Sequence, residues 1–461
     1  MTKTLPDVAP TYTATQNACK LCAPLGASLV FKGIRGAVPL LHGSQGCSTY
    51  IRRYMISHFK EPMDIACSNF GEQTAIFGGG ANIKIALENI RLQYSPELIG
   101  IATTCLAETI GDDVPMFLHE YRKMCDEAES IPPMVHVSTP SYSGTHMDGF
   151  HGAVRATVEA LVEGPEAGGA GDRVNLFSGM ISPADIRYLK EIMADFDLPT
   201  TLLPDYSRTM DGGLWTEYQR IPEGGTPVED IKGAGAALAS VELGHVLARS
   251  KTTAGTVLED RFGVACHRLG LPMGVEETDR FFAALSDIAG RPVPEKHLEE
   301  RGRLLDSYAD GHKYVSGVRA VIYGEEDLVA GLAAFLSEIG IIPVLCASGG
   351  RNGQFKAVLS EIIPDMEKHG VVIRNGVDFV DIESTARELK PDLLIGASKG
   401  YSMARRLELP LVRVGFPIHD RIGGARLHHL GYRGAQELFD RIANTLVERN
   451  QGNSDWGYSY M

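Results

Sequence analysis

The stretch LIGIAT, Leu98–Thr103, is a short apolar run that ends directly before Thr104 and Cys105. A strand in a parallel sheet is covered on both faces, so it is apolar throughout instead of alternating between apolar and polar residues. Amphipathic segments such as Glu326–Ile339 and Ala435–Glu448 lie between further runs of this kind. Strands that alternate with helices predict an α/β protein with parallel sheets flanked by helices. The other predicted strands are Met134–Ser138, Val174–Ser178, Arg319–Tyr323, Ile342–Cys346, Val371–Arg374, Asp392–Ile395 and Val412–Val414.

The length and two breaks in this pattern divide the chain into three predicted domains. At about 150 residues per domain, a chain of 461 residues corresponds to three domains. Gly164–Asp172 (GPEAGGAGD) is too rich in glycine to lie inside a helix or strand. The polar stretch from Glu295 to His312 separates the middle of the chain from its last third. We expect a first domain over 1–170 with an N-terminal arm, a second over 171–315, and a third over 316–461 that ends in a helix.

The charge balance excludes two classes of partner. The chain has 44 Lys and Arg residues against 58 Asp and Glu residues, a formal net charge of −14. Nucleic acids and anionic membranes bind clusters of Lys and Arg, so we expect neither as a partner. No stretch approaches the ~18 apolar residues of a membrane-spanning helix, and the start of the sequence lacks the apolar core of a secretory signal. We therefore expect a cytoplasmic protein.

Several common catalytic signatures are absent from the sequence. It contains no G-x-x-x-x-G-K-[ST], so we do not expect this chain to hydrolyse a nucleotide itself. No G-x-G-x-x-G follows a predicted strand, and Gly78–Gly80 alone is weak support for a phosphate loop. Neither H-E-x-x-H nor G-x-S-x-G occurs, which argues against zinc proteases and serine hydrolases.

The cysteines carry the strongest chemical signal. Five of the eight fall within the first 105 residues, and eight are too few for a disulfide framework in a chain of this length. Cys22 in CAPLGA, Cys47 in HGSQGC, and Cys105 directly after LIGIAT lie in turn-like, mostly glycine-flanked segments. Thiolates are the ligands of iron–sulfur clusters, and glycine lets the backbone approach a bulky cluster. These three residues are candidate cluster ligands, and the hydroxyl of Ser141, just after a predicted strand, is a candidate oxygen ligand.

The remaining cysteines have simpler interpretations. Cys19 and Cys22 form a C-x-x-C, but zinc requires a second pair and a redox pair should open a helix after a strand. Free cysteine is otherwise among the most buried residue types, so we expect the others to be small buried apolar side chains. These others are Cys67, Cys125, Cys266 and Cys346.

At these motifs the chain resembles the β-type subunit of nitrogenase component 1 and the wider family of nitrogenase-like reductases. The similar segments extend from near the start to about forty residues from the end, so the resemblance covers essentially the whole chain. They are Cys22–Ala27 (CAPLGA), His42–Cys47 (HGSQGC), Phe59–Pro62 (FKEP), Phe77–Gly79 (FGG), Thr103–Asp113 (TTCLAETIGDD), Thr139–His146 (TPSYSGTH), Leu271–Gly274 (LPMG), Gly396–Gly400 (GASKG) and Gly415–Arg421 (GFPIHDR).

The resemblance implies three Rossmann-like domains and a specific cofactor. In that family the three cysteine motifs ligate a P-cluster, a double-cubane iron–sulfur cluster at the interface of two homologous subunits, which implies ligand roles for Cys22, Cys47 and Cys105. Ser141 corresponds to the serine that can bind the oxidised cluster. The resemblance further implies an α-like partner in an α2β2 heterotetramer, and this partner carries the catalytic iron–sulfur metallocofactor. An ATP-dependent iron protein would deliver the electrons.

Two other features have alternative interpretations. Glu61, in FKEP, resembles an acidic ligand of a peripheral cation between the two halves of the tetramer, although an ordinary solvated carboxylate is the simpler interpretation. Cys19 and Cys67 are extra thiols that the family pattern does not require. The segment Arg249–Cys266 lacks the tryptophan-histidine stretch of molybdenum nitrogenase β chains, which indicates a relative of that enzyme.

Three functions are compatible with these motifs. The first is a β-like subunit of a nitrogenase-like reductase, such as methylthio-alkane reductase. The second is the β-like half of the scaffold that matures the nitrogenase iron–molybdenum cofactor. The third is an α/β binding protein without metal, whose thiols are all structural. A buried thiolate is costly unless a metal compensates it, so a complete set of Cys22, Cys47, Cys105 and Ser141 favours the reductase.

Overall fold

The chain folds into three parallel β-sheets flanked by helices. The structure is a computed structural model that describes residues 17–125, 131–164, 171–250 and 252–454. The strands are β1 (Ala37–His42), β2 (Ala66–Cys67), β3 (Leu98–Thr103), β4 (Met134–Val137), β5 (Val174–Phe177), β6 (Thr200–Leu202), β7 (Ala239–Leu243), β8 (Cys266–Leu269), β9 (Arg319–Gly324), β10 (Ile342–Ser348), β11 (Val372–Arg374), β12 (Leu393–Gly396) and β13 (Leu411–Arg413).

The helices cover both faces of the sheets, as βαβ connections require. They are α1 (Ala23–Lys32), α2 (Gln45–Phe59), α3 (Glu72–Phe77), α4 (Gly80–Tyr94), α5 (Cys105–Ile110), α6 (Val114–Met124), α7 (His146–Leu161), α8 (Pro183–Asp195), α9 (Val228–Lys232), α10 (Ala254–Phe262), α11 (Gly274–Ala289), α12 (Glu295–Val315), α13 (Glu326–Glu338), α14 (Phe355–Ile362), α15 (Met366–His369), α16 (Phe379–Leu389), α17 (Tyr401–Leu407) and α18 (Gly431–Gly452).

Each sheet is built from one continuous part of the chain. The strand order is β2-β1-β3-β4 in the first sheet, β6-β5-β7-β8 in the second and β11-β10-β9-β12-β13 in the third. All of these strand pairs are parallel, which confirms the predicted α/β fold. The boundaries near 170 and 315 stay a prediction. Most of the predicted linker Gly164–Asp172 lies outside the described residues.

The predicted strands are confirmed to within two residues, but five observed strands have no counterpart among them. β1 is central in the first sheet although it contains Pro39, which cannot donate a backbone hydrogen bond and argues against a central strand. The unpredicted β7 carries the polar residues Ser240 and Glu242. The unpredicted β2, β6 and β8 have only two to four residues, too few for a clear pattern.

The polar stretch Glu295–His312 forms a regular helix. It belongs to α12, which packs against the C-terminal helix α18 and buries Leu304 and Val315. Its hydrophobic face is narrow and the rest of its surface is charged, so its composition resembles that of a linker. Among the described residues, every helix is either too short or too polar to cross a bilayer.

Candidate metal-cluster site

The first sheet brings two of the predicted ligands to one edge. β1 and β3 are parallel neighbours, and their last residues, His42 and Thr103, are register partners. The N–H of Thr104 donates to the carbonyl of His42 at 3.0 Å, so the two loops leave the sheet side by side. Cys105 is the first residue of α5, and Cys47 is the third residue of α2. Both cysteines therefore lie at the carboxyl edge of the sheet, where α/β proteins bind ligands.

Close packing of two helices brings the third predicted ligand to the same edge. Cys22 is the N-cap residue of α1, which lies directly against α7. A Cβ on Gly26 of α1 would overlap the carbonyl oxygen of His146, and a Cβ on Gly149 of α7 would overlap the carbonyl oxygen of Ala23. Glycine at both contacts lets the helix backbones approach closely enough to place Cys22 near the sheet edge.

Ser141 connects the Cys22 turn with the Cys105 turn. The N–H of Ala23, next to Cys22, donates to Oγ of Ser141 at 3.0 Å. The N–H of Ser141 in turn donates to Sγ of Cys105 at 3.3 Å. The serine thus lies between two of the three candidate thiols, and its hydroxyl also forms a hydrogen bond with the Cys22 thiol.

The thiols are close enough to influence one another electrostatically. Burial raises the pKa of Cys22, the hydrogen bond from Ser141 lowers it, and negative charge on Cys105 and on Cys47 raises it further. A raised pKa means that the free thiol is protonated at neutral pH, so metal binding at Cys22 must release a proton. All three cysteines are free and partly accessible.

The donor set fits an iron–sulfur cluster better than a single metal ion. Within the described ranges, no three His, Cys, Asp or Glu side chains are arranged to hold one ion. Three soft thiols with a hydroxyl are nevertheless the chemistry that iron–sulfur clusters require. Open space lies beside Cys47, because a Cβ on Gly46 would meet no atom within 4 Å. Cys22, Cys47 and Cys105 would hold such a cluster through their thiols and Ser141 through its hydroxyl, and further ligands would come from another chain.

A buried hydrogen-bond network supports the two sheet-edge loops. His42 is fully buried, with Nδ1 3.1 Å from Oγ of Ser68 and Nε2 2.9 Å from Oδ2 of Asp112. Asp112 also accepts a hydrogen bond from the N–H of Gly79 at 3.0 Å. Both His42 and Asp112 lie in segments that carry the family resemblance, and that position is the only signal in the sequence for their role.

The other cysteines divide into near and distant groups. Cys67 lies on β2 beside the Cys47 loop, where its thiol donates to the carbonyl of Gly43 at 3.3 Å. Burial raises the pKa of Cys67, and negative charge on Cys47 adds to this effect. Cys346 is buried in β10, as expected, and Cys266 is only partly buried at the start of β8. Cys125 follows α6 and is also partly buried.

Glu61 is placed away from the thiols. Its Oε1 accepts a hydrogen bond from the N–H of Gly212 at 3.2 Å. Burial raises the pKa of Glu61, and the nearby Asp211 carboxylate adds to this effect, whereas Arg426 lowers it. Two acidic side chains at one surface are compatible with a peripheral cation, which stays a prediction.

Three comparisons with known proteins cover nearly the whole chain. A model of the family "nitrogenase component 1 type oxidoreductase" matches residues 22–447. The nitrogenase molybdenum-iron protein beta chain of Clostridium pasteurianum is 36% identical over 436 residues, which cover 94% of this chain and 93% of that protein.

A cofactor-assembly protein and a solved structure are similar to nearly the same degree. The nitrogenase iron-molybdenum cofactor biosynthesis protein NifN of Bradyrhizobium diazoefficiens is 34% identical over 448 residues, covering 96% of this chain and 92% of that protein. The solved structure of nitrogenase Cp1 at pH 6.5 superimposes with a TM-score of 0.92 at 33% identity, covering 99% of this chain and 98% of that chain.

Proposed function

The chain belongs to the nitrogenase component 1 type oxidoreductase family, and from this premise we propose that it is the β-like subunit of a nitrogenase-like reductase. In this proposal Cys22, Cys47 and Cys105 hold one half of a P-cluster-type iron–sulfur cluster, with Ser141 as an additional oxygen ligand. The observation that supports it most directly is the meeting of these three thiols and the hydroxyl at one edge of the first sheet.

The residues of this chain have distinct roles in the proposed transfer of electrons through the cluster. When bound, an iron–sulfur cluster supplies reversible one-electron transfer. The thiols of Cys22, Cys47 and Cys105 bind it as thiolates, and Cys22 loses its proton on loading. Ser141 holds the Cys22 turn through its hydroxyl and the Cys105 turn through its backbone N–H, and the His42–Asp112 pair fixes the loops behind them.

The surface beside the thiols fits an α-like partner. The short helix α3 packs against α5, the helix that begins at Cys105. On α3, Phe77 is 84% exposed and Ile76 is 75% exposed. Large apolar side chains that are this exposed next to an incomplete ligand set are typical of a protein interface. We propose that the partner covers them, completes the cluster in an α2β2 heterotetramer, and carries the catalytic metallocofactor.

The source of electrons and the substrate follow from the family resemblance. This chain has no nucleotide-binding loop, so ATP would be hydrolysed on a separate iron protein that docks transiently. The substrate would bind in the partner subunit, and a methylthio-alkane is our candidate.

A scaffold function is the second candidate. The cofactor biosynthesis protein NifN is 34% identical to this chain, nearly the same identity as the 36% of the nitrogenase beta chain. In that case the two-chain complex would mature a cofactor instead of turning over a substrate. The complete set of three cysteines and Ser141 favours the reductase, because a scaffold does not need a reducible cluster of this type.

Cysteine substitutions in the two-chain complex test the proposed cluster site. We expect Cys105→Ala to lose the interfacial cluster, measured as iron per complex and as the EPR spectrum. Cys266→Ala is the matched control. Cys266 lies in the second sheet, so this variant should leave the iron content of the complex unchanged. Unchanged iron content in Cys105→Ala would refute the proposal.

A reconstitution distinguishes the two candidate functions. The purified complex is supplied with its iron protein, ATP, a low-potential reductant and a methylthio-alkane. A reductase consumes the methylthio-alkane under these conditions. A scaffold leaves it unchanged but activates a cofactor-free nitrogenase component 1 when the two are mixed.

A further inference from the structure

The segment that precedes Cys22 is bound both to the third sheet and to the start of α7, where the N–H of His146 donates to the carbonyl of Leu21 at 3.0 Å. Residues 17–21, here called the arm, run antiparallel to the start of α16, with a bridge between Ala18 and Asp378. The N–H of Cys19 donates to the carbonyl of Val377 at 3.4 Å. The N–H of Gly349, after β10, donates to the carbonyl of Cys19 at 3.2 Å.

Lys399 holds the arm at its centre. Its Nζ donates to the carbonyl oxygens of Ala18 and of Lys20, the latter at 3.3 Å. Lys20 is two residues from Cys22 in the sequence and 379 residues from Lys399. The ammonium also lies 6.0 Å from the ring centroid of Phe379, within range of a cation–π contact.

The loop that carries Lys399 is itself firmly placed. It is the GASKG segment of the sequence, and a Cβ on Gly400 would overlap the hydroxyl of the buried Tyr323. That hydroxyl donates to the carbonyl of Ala397 at 2.8 Å. The hydroxyl of Ser398 donates to Asp420, which forms a bidentate ion pair with Arg413 at 2.9 and 2.7 Å. Lys399 thus projects from a rigid support.

The side chain of Lys399 interacts electrostatically with two cysteines. Burial lowers the pKa of Lys399, whereas negative charge on Cys19 and on Cys22 raises it. The ammonium thus lies within electrostatic range of Cys22, and Lys20 is a second cation near that thiol, whose pKa it lowers. Lys296, by contrast, forms ordinary ion pairs with Glu191 and Asp195.

We propose that Lys399 is a positioning residue for the candidate cluster ligand Cys22: it clamps the arm through two backbone carbonyls and so brings a positive charge into the neighbourhood of Cys22. This inference rests on the proposed function. It also gives a physical role to the GASKG segment, which carries the family resemblance but contains no cluster ligand.

Hydrogen exchange of the metal-free chain tests the clamp without a cluster. We expect Lys399→Met to accelerate exchange of the arm amides about tenfold, because the arm opens locally once its clamp is gone. Lys399→Arg keeps the charge and the donors and should restore most of the protection. Lys296→Met is the matched control and should leave the arm unchanged. If Lys399→Met does not fold, Lys399→Gln, which removes the charge but retains a donor, replaces it.

The reduction potential of the cluster-loaded complex is a second measurement. A lysine with a purely structural role would leave this potential unchanged. Lys399→Met should lower the reduction potential of the cluster relative to the wild type, because the positive charge near Cys22 is lost. Lys399→Arg should keep the potential close to that of the wild type. Unchanged arm exchange or an unchanged potential in Lys399→Met would overturn the inference.

Failure of the inference is separable from failure of the proposed function. If Cys105→Ala loses iron while Lys399→Met behaves as the wild type, the cluster site stands and the positioning role is wrong. If the wild-type complex binds no cluster, the proposed function is wrong, and the exchange experiment still decides whether Lys399 clamps the arm.

Discussion

Nε2 of His42 lies 2.9 Å from Oδ2 of Asp112, and this contact joins the loop before Cys47 to the loop after Cys105. Burial lowers the pKa of His42, so the imidazole is neutral. The donors and acceptors then form one consistent chain. The N–H of Gly43 donates to Ser68, whose hydroxyl donates to Nδ1 of His42, and Nε2–H of His42 donates to Asp112.

Asp112→Asn should weaken this network. The carboxylate accepts hydrogen bonds from both His42 and Gly79, and an amide in its place turns its NH2 group towards one of these donors. An unsatisfied buried donor costs about 1–3 kcal/mol, which urea unfolding of the metal-free chain would measure. Asp113→Asn is the matched control, because Asp113 is an exposed N-cap of α6 and asparagine caps helices equally well. Equal stability of the two variants would contradict the role of the network.

Ser141→Ala should affect the cluster in one oxidation state more than in the other. We expect a larger change in the EPR spectrum of the oxidised complex than in that of the reduced complex, because the hydroxyl would bind only after oxidation. Ser143→Ala is the control, since Ser143 is exposed in the same loop and donates to the carbonyl of Pro140. Identical spectra of Ser141→Ala and wild type in both states would remove Ser141 from the ligand set.

Gly26→Ala should separate α1 from α7. The new methyl group would overlap the backbone oxygen of His146, which cannot move as a flexible side chain could. Overpacking of this kind costs about 1–3 kcal/mol in thermal or urea unfolding. Gly302→Ala, in an exposed turn of α12 with no atom within 4 Å of the new Cβ, should instead stabilise by about 0.5–1 kcal/mol. A neutral effect of Gly26→Ala would show that the helices can separate freely.

Glu325→Gln should change how stability depends on pH. Burial, followed by the neighbouring Asp327 carboxylate, raises the pKa of Glu325 to about 8 from 4.5. Its stabilising contribution is therefore complete below pH 4.5, decreases as the pH rises, and is lost above pH 8. Glutamine resembles the protonated form at every pH, so the variant should gain stability relative to the wild type from pH 5 to pH 8, by at most about 1.4 kcal/mol per pH unit.

The control for this pH effect is a glutamate with the opposite shift. A hydrogen bond from Arg406 lowers the pKa of Glu383, so its contribution is present above pH 4.5 and is lost only as the pH falls below that value. Between pH 5 and pH 8, the free energy of unfolding of Glu383→Gln should therefore change with pH in the same way as that of the wild type. If the stability of Glu325→Gln also changes with pH in the same way as that of the wild type, Glu325 is ionised throughout this pH range.

Local patterns in the sequence are sufficient for the elements with a strong signal. β3 has the bounds that the sequence predicts, because LIGIAT is apolar, short and flanked by polar residues. β1 escapes prediction because Pro39 contradicts the usual pattern of a central strand. The three candidate ligands can be recognised because thiols in short glycine-flanked turns are typical of iron–sulfur ligation.

The supporting residues cannot be predicted because their contacts are long-range. His42 and Asp112 are 70 residues apart, and Lys399 is more than 370 residues from the carbonyls that it binds. No local pattern in the sequence marks such pairs. Only the packing of the three sheets shows that these residues meet. From the sequence alone, the GASKG segment carries the family resemblance but has no assigned role.

The clamp on the arm has a consequence for biosynthesis. Cys22 leaves the ribosome before the residues that fix its arm, from Gly349 to Lys399, have been translated. Of the three candidate ligands, Cys22 is thus translated first, but its arm is clamped only after Lys399 has been translated, so a complete site for iron and sulfide forms only then. A truncated nascent chain should accordingly leave Cys22 free for chemical labelling until Lys399 has emerged.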